Sequence, residues 1–497
     1  MANMEKNDIE HVAEVMAADG DSCHPKPKLS KTGVVLHPQP TDDPADPLNW
    51  STLKKHAAMF SVCWLAFFTY VSVTAIVPAT VELGIEFSVP KDTAVYIGNA
   101  PVAMFGVGPF IWTPLSHILG RRTVLIVANL VSLAGTLGVA GSNSYSACMV
   151  CRLISSLGGS AFWGLGPSIA SDMFFRHERG KKIGITSIFI VTAPYFGSII
   201  GGCIISDPGM GWRWTQWLSG ILIGIGFVIQ IVFLPETIYF RDEPETGFQN
   251  RSKFKILRLL GIYKPKNTGG GFFTEMFRPF VQFTHIYIFV PCFWFGLCYM
   301  SHVGITALLP LIYEAPPYNF NARGVGLGGG VSGLLGALVG EVLAGPTVDY
   351  IAKRADHSAK GYWPEKRLMA TLGGLFACPI GLLIFGLTIQ FTTSWVAPLV
   401  GQAVYIFGIE ILTTSIQTYI LESDPVRGVE STLVFNFGRN LMSFCTPFYM
   451  TKFVENAGGG WAFGTMALII VVFYPAVIYL QLNGPKLRKQ SQSKLDY

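Results

Sequence analysis

Ionisable side chains inside apolar segments are the part of this sequence that could do chemistry. Glu410 lies near the middle of the apolar run YIFGIEILTTS, and Glu341, Arg152 and Arg439 lie within three other apolar runs. A charge buried in a membrane is costly, so such residues are expected to face a cavity or a partner. A carboxyl group there can bind and release a proton, which makes Glu410 and Glu341 candidate proton carriers.

Each of these two acids has a second interpretation, which the sequence leaves open. Arg439 lies at a similar depth to Glu410 on the next apolar segment, so the two could form a structural ion pair. Glu341 follows Gly340, where close helix packing would desolvate its carboxyl group, as a proton carrier requires. It could instead reach a solvated vestibule.

The composition places most of the chain in lipid. Hydrophobic residues make up 50% of the 497 residues, charged residues make up 13%, and the mean hydropathy is +0.43. A soluble domain carries about 25% charged residues. Twelve apolar runs are long enough to cross ~30 Å of hydrocarbon. They are 56–80, 94–116, 123–142, 146–172, 183–206, 212–234, 284–313, 324–351, 367–389, 395–421, 430–455 and 460–482.

This pattern predicts an all-α membrane protein with twelve transmembrane helices in two pseudo-symmetric six-helix bundles. The predicted regions are a disordered N-terminal tail at 1–50, a first bundle at 51–234, a central loop at 235–283, a second bundle at 284–482 and a tail at 483–497. Within the central loop, residues 251–266 could form an interfacial helix on an anionic membrane surface, or a solvated linker.

The basic residues fix the predicted orientation. Of the 36 Lys and Arg residues, four lie beside or at the ends of the predicted spans on one side, two lie deeper within spans, and the rest lie on the other side. The four are Lys91, Arg213, Arg323 and Lys452. Because basic loops remain in the cytoplasm, both termini and the central loop are predicted to be cytoplasmic.

A duplicated helix end supports the two-bundle interpretation. The stretch GPFIWTPLSHILGRR at 108–122 has a counterpart, GEVLAGPTVDYIAKR, at 340–354. We predict that these stretches form a gate at the inner face, with His117 of the first copy at the position of Asp349 in the second. His117 could make that gate sensitive to pH, or act as a neutral hydrogen-bonding group. The predicted gating residues are Gly108, Pro114, His117, Gly120, Arg121, Arg122, Gly340, Asp349 and Arg354.

Other residues suit a binding cavity and a moving helix. Aromatic side chains in a cavity offer apolar and cation–π contacts to a bulky ligand. The predicted cavity residues are Tyr70, Trp163, Tyr195, Trp294, Tyr299, His302 and Glu410. Glycines near a proline let a neighbouring helix approach closely, which indicates either a hinge or static packing. The predicted hinge residues are Pro194, Gly197, Gly201 and Gly202.

Several local sequences narrow the interpretation. They are DPADPLNW (43–50), PLSHILGRR (114–122), CRLISSLGGS (151–160), DMFFRHERG (172–180), TAPYFGSIIGG (192–202), GWRW (211–214) and PET (235–237). With six plus six spans, the chain resembles the major facilitator superfamily and, within it, the fungal twelve-helix drug:proton antiporters. Two positions depart from that pattern. The family usually has an acid in place of His117 and a glycine in place of Ala193.

The resemblance implies a proton-coupled transporter that exports drugs, toxins or secondary metabolites, with Arg152 acting in proton coupling. Uptake of polyamine-like cations and a non-transporting nutrient sensor are the alternatives. The sequence contains no P-loop, zinc motif or nucleophile elbow, so we expect no enzyme activity, cofactor or metal. A net charge of +5 gives no support for a nucleic-acid partner. The resemblance favours a monomer in the plasma membrane, with the vacuolar membrane as the alternative.

Overall fold

The computed structural model of the chain describes residues 28, 36, 38–239, 272–356, 363–424 and 427–492. Within these ranges, every regular element is a helix. The predicted interfacial helix at 251–266 and most of the predicted N-terminal tail lie outside the described residues.

The described part of the first half contains nine α-helices, besides two short 3-10 helices, Pro47–Asn49 and Val77–Ala79. The α-helices are α1 (Thr52–Ala75), α2 (Thr80–Glu86), α3 (Lys91–Asn99), α4 (Pro101–Leu119), α5 (Arg121–Ala140), α6 (Tyr145–Gly159), α7 (Ala161–Met173), α8 (Arg176–Ile205) and α9 (Gly211–Phe233). Eight α-helices form the described part of the second half. They are α10 (Phe272–Phe277), α11 (Ile286–Tyr313), α12 (Ala322–Asp356), α13 (Thr371–Gln390), α14 (Val396–Ser423), α15 (Gly428–Phe444), α16 (Thr446–Ala457) and α17 (Gly459–Gln492).

Eleven segments of the described chain are long and apolar enough to cross a membrane. The remaining predicted span, 430–455, is divided at Cys445 into α15 and α16, of 17 and 12 residues. Pro447 lies in the first turn of α16, where its missing N–H group is tolerated, so the chain begins a new helix there. The predicted all-α architecture is confirmed, and this crossing consists of two consecutive helices.

Each half has its own apolar core. Val124, Leu165 and Ile169 are fully buried in the first half, as Phe295 and Phe385 are in the second. Polar side chains within these cores bond to one another across helices. In the first half, Asn129 Nδ2 donates to Gln230 Oε1 at 3.0 Å, and Ser72 Oγ donates to Gln216 Oε1 at 3.1 Å. Such bonds satisfy polar groups that lipid cannot.

The helices run between two faces of the bundle. We define the basic face as the one where α4 ends and α5 begins at Arg121 and Arg122, and the opposite face as the other. At the opposite face, α8 of the first half packs closely against α12 of the second. A methyl group on Gly326 would lie 2.5 Å from the Ser198 carbonyl oxygen and 2.8 Å from the Cα of Gly202. This contact, the glycine seam, closes the space between the halves at that face.

At the basic face, aromatic side chains connect the halves. Phe280 lies in the short 3-10 helix Arg278–Thr284 before α11. Its ring centroid is 4.6 Å from that of Phe110 of α4 and 5.3 Å from that of Phe437 of α15. Arg278 Nε lies 3.2 Å from Glu430 Oε1 at the start of α15. The segment after the central loop therefore packs against one helix from each half.

Gly326→Ala is expected to hold the glycine seam apart, because the methyl group has no room between α12 and α8. Overpacking destabilises the closed state by ~1–3 kcal/mol, so the equilibrium constant for opening of the opposite face should increase by roughly 5- to 150-fold. The measurement is the alkylation rate of Ser198→Cys by a reagent added at the opposite face. The exposed Cys203 and Cys445 are first replaced by serine.

Gly345→Ala is the matched control, because Gly345 lies on the same helix with nothing within 4 Å of the added methyl group. Its alkylation rate should equal that of the parent. Equal rates in the Gly326 and Gly345 variants would contradict a tightly packed seam.

Candidate functional site

A cavity lies between the two halves, from mid-membrane toward the basic face. It contains about 980 Å³ of empty space, counting the part open to solvent. Helices α1, α7 and α8 line it from the first half, and α11, α14 and α15 line it from the second. Near the opposite face Tyr195 ends the cavity, with its ring against Gly333, and the glycine seam lies beyond it.

Helical spacing brings polar side chains to this cavity. On α14 and α15 the polar lining residues recur every three or four positions, so each set shares one helix face. They are Glu410, Thr413 and Gln417 on α14, and Thr432, Asn436 and Arg439 on α15. Sequence reasoning missed Thr413, Gln417, Thr432 and Asn436, although this polar periodicity in apolar spans could have identified them.

Except for Trp294, all the predicted cavity residues line the cavity. Tyr70, Trp163, Tyr195, Tyr299, His302 and Glu410 all face it. The placement of Trp294 was wrong. Its indole N–H donates to the Ile470 carbonyl at 2.9 Å, and its ring packs 5.2 Å from that of Tyr474 inside the second half. An indole N–H inside an apolar core needs such an acceptor, which α17 supplies.

Glu410 and Arg439 both line the cavity but do not pair with each other. Their side chains are 7% and 5% exposed, and no ion pair within 4.0 Å joins them. Glu410 packs on Gly340 of α12, where an added methyl group would lie 2.8 Å from the Glu410 Cβ. The ion-pair interpretation is therefore wrong for this state, and the carboxylate faces the cavity.

The Arg439 guanidinium lies among aromatic rings from both halves. Its carbon is 4.8 Å from the ring centre of Trp163 on α7, 5.0 Å from that of Tyr299 on α11, and 5.8 Å from that of Phe435. Ring faces attract a cation, which partly offsets the loss of its water.

Glu341 lies at the edge of the cavity. It is half-buried on α12, near Ser187 of α8, which lines the cavity. The preceding Gly340 packs against the Phe407 carbonyl of α14, so the close helix approach expected there is present. Glu341 thus lies where the second half faces the first.

Arg152 is buried in the first half, away from the cavity. Its Nε donates to the Ile97 carbonyl at 3.1 Å, and its terminal nitrogens donate to the carbonyls of Ser72 and Val73 at 3.2 and 2.8 Å. Within the described ranges no carboxylate forms an ion pair with it. In this state Arg152 connects three helices through their backbones, and its predicted role in proton coupling stays a prediction.

The first gating stretch begins α5 at the basic face. Arg121 forms an ion pair with Asp172 at the end of α7. The half-buried Glu236 carboxylate accepts the backbone N–H groups of Arg121 and Arg122, each at 3.1 Å, and so caps α5. Burial raises the pKa of Glu236, while these N–H donors oppose the rise. Gly120 has φ +92° and lies directly against this carboxylate, so a side chain is excluded there.

The second gating stretch has a similar arrangement. Arg367, before α13, pairs with Glu422 at the end of α14 at 2.6 and 2.7 Å. Asp349 lies 3.9 Å from Arg367, and Arg354 lies 3.5 Å from the Tyr350 hydroxyl. In both halves, an arginine at the start of one span is thus paired with an acid at the end of the next.

His117 is exposed in the first copy, close to the charges of Arg121, Glu275 and Arg278. Its pH-sensitive role in a gate stays a prediction. Sequence reasoning assigned no role to four charged residues in the ion pairs and the helix cap of the two gating stretches. Two of the four lie in the family-like stretches 172–180 and 235–237. The four are Asp172, Glu236, Arg367 and Glu422.

The predicted hinge residues lie on a continuous helix. α8 passes through Pro194 without interruption and reaches Ile205. Gly201 packs against the Ala75 carbonyl of α1, and a methyl group on Gly197 would lie 2.7 Å from the Val71 carbonyl oxygen. Gly202 faces α12 in the glycine seam. A hinge at these residues stays a prediction.

A match to a protein family decides the identity of the fold. The profile of the Major Facilitator Superfamily matches residues 62–447. The chain belongs to the Major Facilitator Superfamily.

Relatives within this superfamily include fungal proteins. The cycloheximide resistance protein of Candida maltosa is 25% identical, over 95% of this chain and 88% of the relative. The efflux pump FUBT of Fusarium oxysporum is 24% identical, over 82% of this chain and 68% of the relative. The structure of the E. coli xylose transporter XylE in a partially occluded inward-open conformation superposes with a TM-score of 0.62 at 16% identity. It covers 85% of this chain and 97% of XylE, which confirms the superfamily fold.

At the opposite face, this superfamily member places a titratable acid between its halves. Glu314 follows α11, near the charges of Glu82 on α2 and Lys91 on α3. Burial raises the pKa of Glu314 to about 7; Glu82 adds to the rise and Lys91 opposes it. Opening of this face would hydrate the carboxyl group and return its pKa toward the usual 4.5.

Because the closed state binds the Glu314 proton more tightly, closure of the opposite face should strengthen as pH falls below about 7. Alkylation of Ser198→Cys should therefore be slower at about pH 5.5 than at about pH 8, after correction for the reagent's own pH dependence. Glu314→Gln should remove most of that difference. The control is Glu455→Gln, an exposed acid on α16. A pH dependence that survives in Glu314→Gln would contradict this assignment.

Proposed function

We propose that this chain is a proton-coupled secondary transporter that exports small organic molecules by alternating access. The observation that carries the proposal is a cavity between two pseudo-symmetric halves, which the Glu410 carboxylate faces without an ion pair in the described part of the chain. A transporter needs a central site that two halves can expose in turn, and an ionisable group whose protonation changes the favoured state.

The two closures define the proposed transport cycle. The state described here is closed at the opposite face by the glycine seam, with the cavity extending toward the basic face. We take the basic face as cytoplasmic because basic residues concentrate there. In the second state the seam opens, and the gating stretches close the basic face. The gating residues, with Pro194 and the glycines of α8, would then carry the movement.

Glu410 is the proposed proton site. It lies inside the membrane with no cation partner within 4.0 Å among the described residues, and it lines the cavity, through which its proton would exchange. Glu341 is a second acid close enough to influence its charge. Arg152 would act indirectly, by holding α1 and α3 where the first half meets the cavity.

Two observations support the proposed direction of transport and the proposed class of substrate. Relatives carry the names cycloheximide resistance protein and efflux pump, which favours export of toxic organic compounds. The uptake of polyamine-like cations is less suited to this cavity, because Arg439 places a guanidinium in it that forms no ion pair with the described residues. A non-transporting sensor remains the alternative from another class, and it would show no flux.

We also propose that the chain acts as a monomer in the plasma membrane. One chain completes the whole cavity lining, so transport needs no second copy. Export from the cell requires the plasma membrane, whereas the same cycle in the vacuolar membrane would sequester compounds. Fluorescence microscopy of a tagged chain distinguishes the two membranes.

Glu410→Gln is expected to abolish export driven by a pH gradient, because an amide cannot carry the proton. Cells that express the wild-type chain should accumulate less of an exported compound, cycloheximide being the first to test, and an uncoupler should remove that difference. In proteoliposomes, the variant should lose at least about tenfold of gradient-driven flux while still exchanging substrate for substrate.

Glu455→Gln makes the same chemical change outside the cavity and should export at the wild-type rate. Unchanged export and an unchanged pH dependence in Glu410→Gln would exclude Glu410 as the proton site. If the wild type shows no flux for any compound in a panel, the transport proposal itself fails and a sensor is favoured.

A further inference from the structure

Two buried arginines in this chain have opposite surroundings. Arg152 is 2% exposed and donates to three backbone carbonyls, so the fold uses its donors. Arg439 is 5% exposed, but its side chain donates to no acceptor in the described part of the chain. Its backbone carbonyl accepts from Ser443 Oγ at 2.5 Å, and this bond leaves the guanidinium donors unused.

An unpartnered buried arginine is expensive unless something else satisfies it. A guanidinium has five N–H donors in one plane, and each donor that stays buried without an acceptor destabilises the structure. The rings of Trp163 and Tyr299 attract the cation but accept no strong hydrogen bonds in the guanidinium plane. The donors at the edge of that plane are therefore left for an occupant of the cavity.

The neighbours of Arg439 describe the occupant. Trp163 and Tyr299 offer aromatic surface beside the guanidinium, and Asn436 on the same helix face adds an amide. An occupant that satisfies this group must bring an oxygen that accepts hydrogen bonds, on a framework flat enough to lie against aromatic rings. A cation would meet the positive charge of Arg439 and would leave its donors unsatisfied.

We propose that Arg439 is the residue that selects substrates: it binds an acceptor oxygen of a neutral or anionic ring compound, such as a carbonyl or carboxylate, and disfavours organic cations. This inference rests on the proposed transport function and specifies its substrate class. Glu410 lies in the same cavity and would favour cations if it dominated recognition, so the two residues make opposite predictions.

Two dyes that share one ring system separate these predictions. Fluorescein is an anion with a free carboxylate, whereas rhodamine 6G is a cation whose carboxyl group is esterified. In proteoliposomes under a pH gradient, wild-type protein should transport fluorescein faster than rhodamine 6G. Arg439→Gln should lower fluorescein flux by roughly tenfold or more, the value of a lost charge-assisted hydrogen bond, and change rhodamine 6G flux by less than about twofold.

Arg439→Lys keeps the charge but loses the planar fork, so its fluorescein flux should be intermediate. Arg152→Gln is the control for a structural arginine, and it should lower both fluxes by the same factor. Thermal unfolding of each purified variant separates damage to the fold from damage to recognition.

The outcomes distinguish this inference from the transport proposal. Faster transport of rhodamine 6G by the wild type, or an equal loss of both fluxes in Arg439→Gln and Arg439→Lys, would overturn the role of Arg439 and leave transport intact. Transport of neither dye by the wild type would count against both, because the cavity would then not accept ring compounds of either charge.

Discussion

Lipid imposes the constraint on which this structure depends, because a charged side chain inside the bilayer must be enclosed by protein or must face a cavity. Arg152 meets the constraint by enclosure, with its donors bonded to three backbone carbonyls. Glu410 and Arg439 meet it through the cavity, where neither forms an ion pair with the described residues. The same physical requirement thus separates an arginine that holds the fold together from two charged groups that are available to a proton and a substrate.

The internal repeat explains how the halves can move around that cavity. Gly108 packs on Ser160 in the first half, and Gly340 packs on α14 in the second, so the repeated glycine brings equivalent helices together. Arginine–acid pairs then fasten each half at the basic face. Between the halves, glycines of α12 pack on α8: Gly326 lies against the Ser198 carbonyl and Gly202, and Gly330 lies against Ile199. Small residues allow such close helix packing.

Hydropathy and the distribution of basic residues were enough to predict the all-α fold, and the depth of Glu410 was enough to select it. The depth of a residue along a span does not show which way its side chain points around the helix, however. For this reason Trp294 was placed in the cavity, although it faces α17. The pairing of Arg367 with Glu422 joins positions 55 residues apart, and the repeat does not align these two residues with Arg121 and Asp172. Only the packed halves bring such pairs together.

The central claim is that one cavity binds both the proton and the substrate. The most direct test counts the protons released when purified protein, in weakly buffered solution near neutral pH, binds a compound that it exports. The wild type should release protons on binding, and Glu410→Gln should bind the compound without releasing them. Equal proton release by the two proteins, or none by the wild type across the neutral range, would contradict the claim.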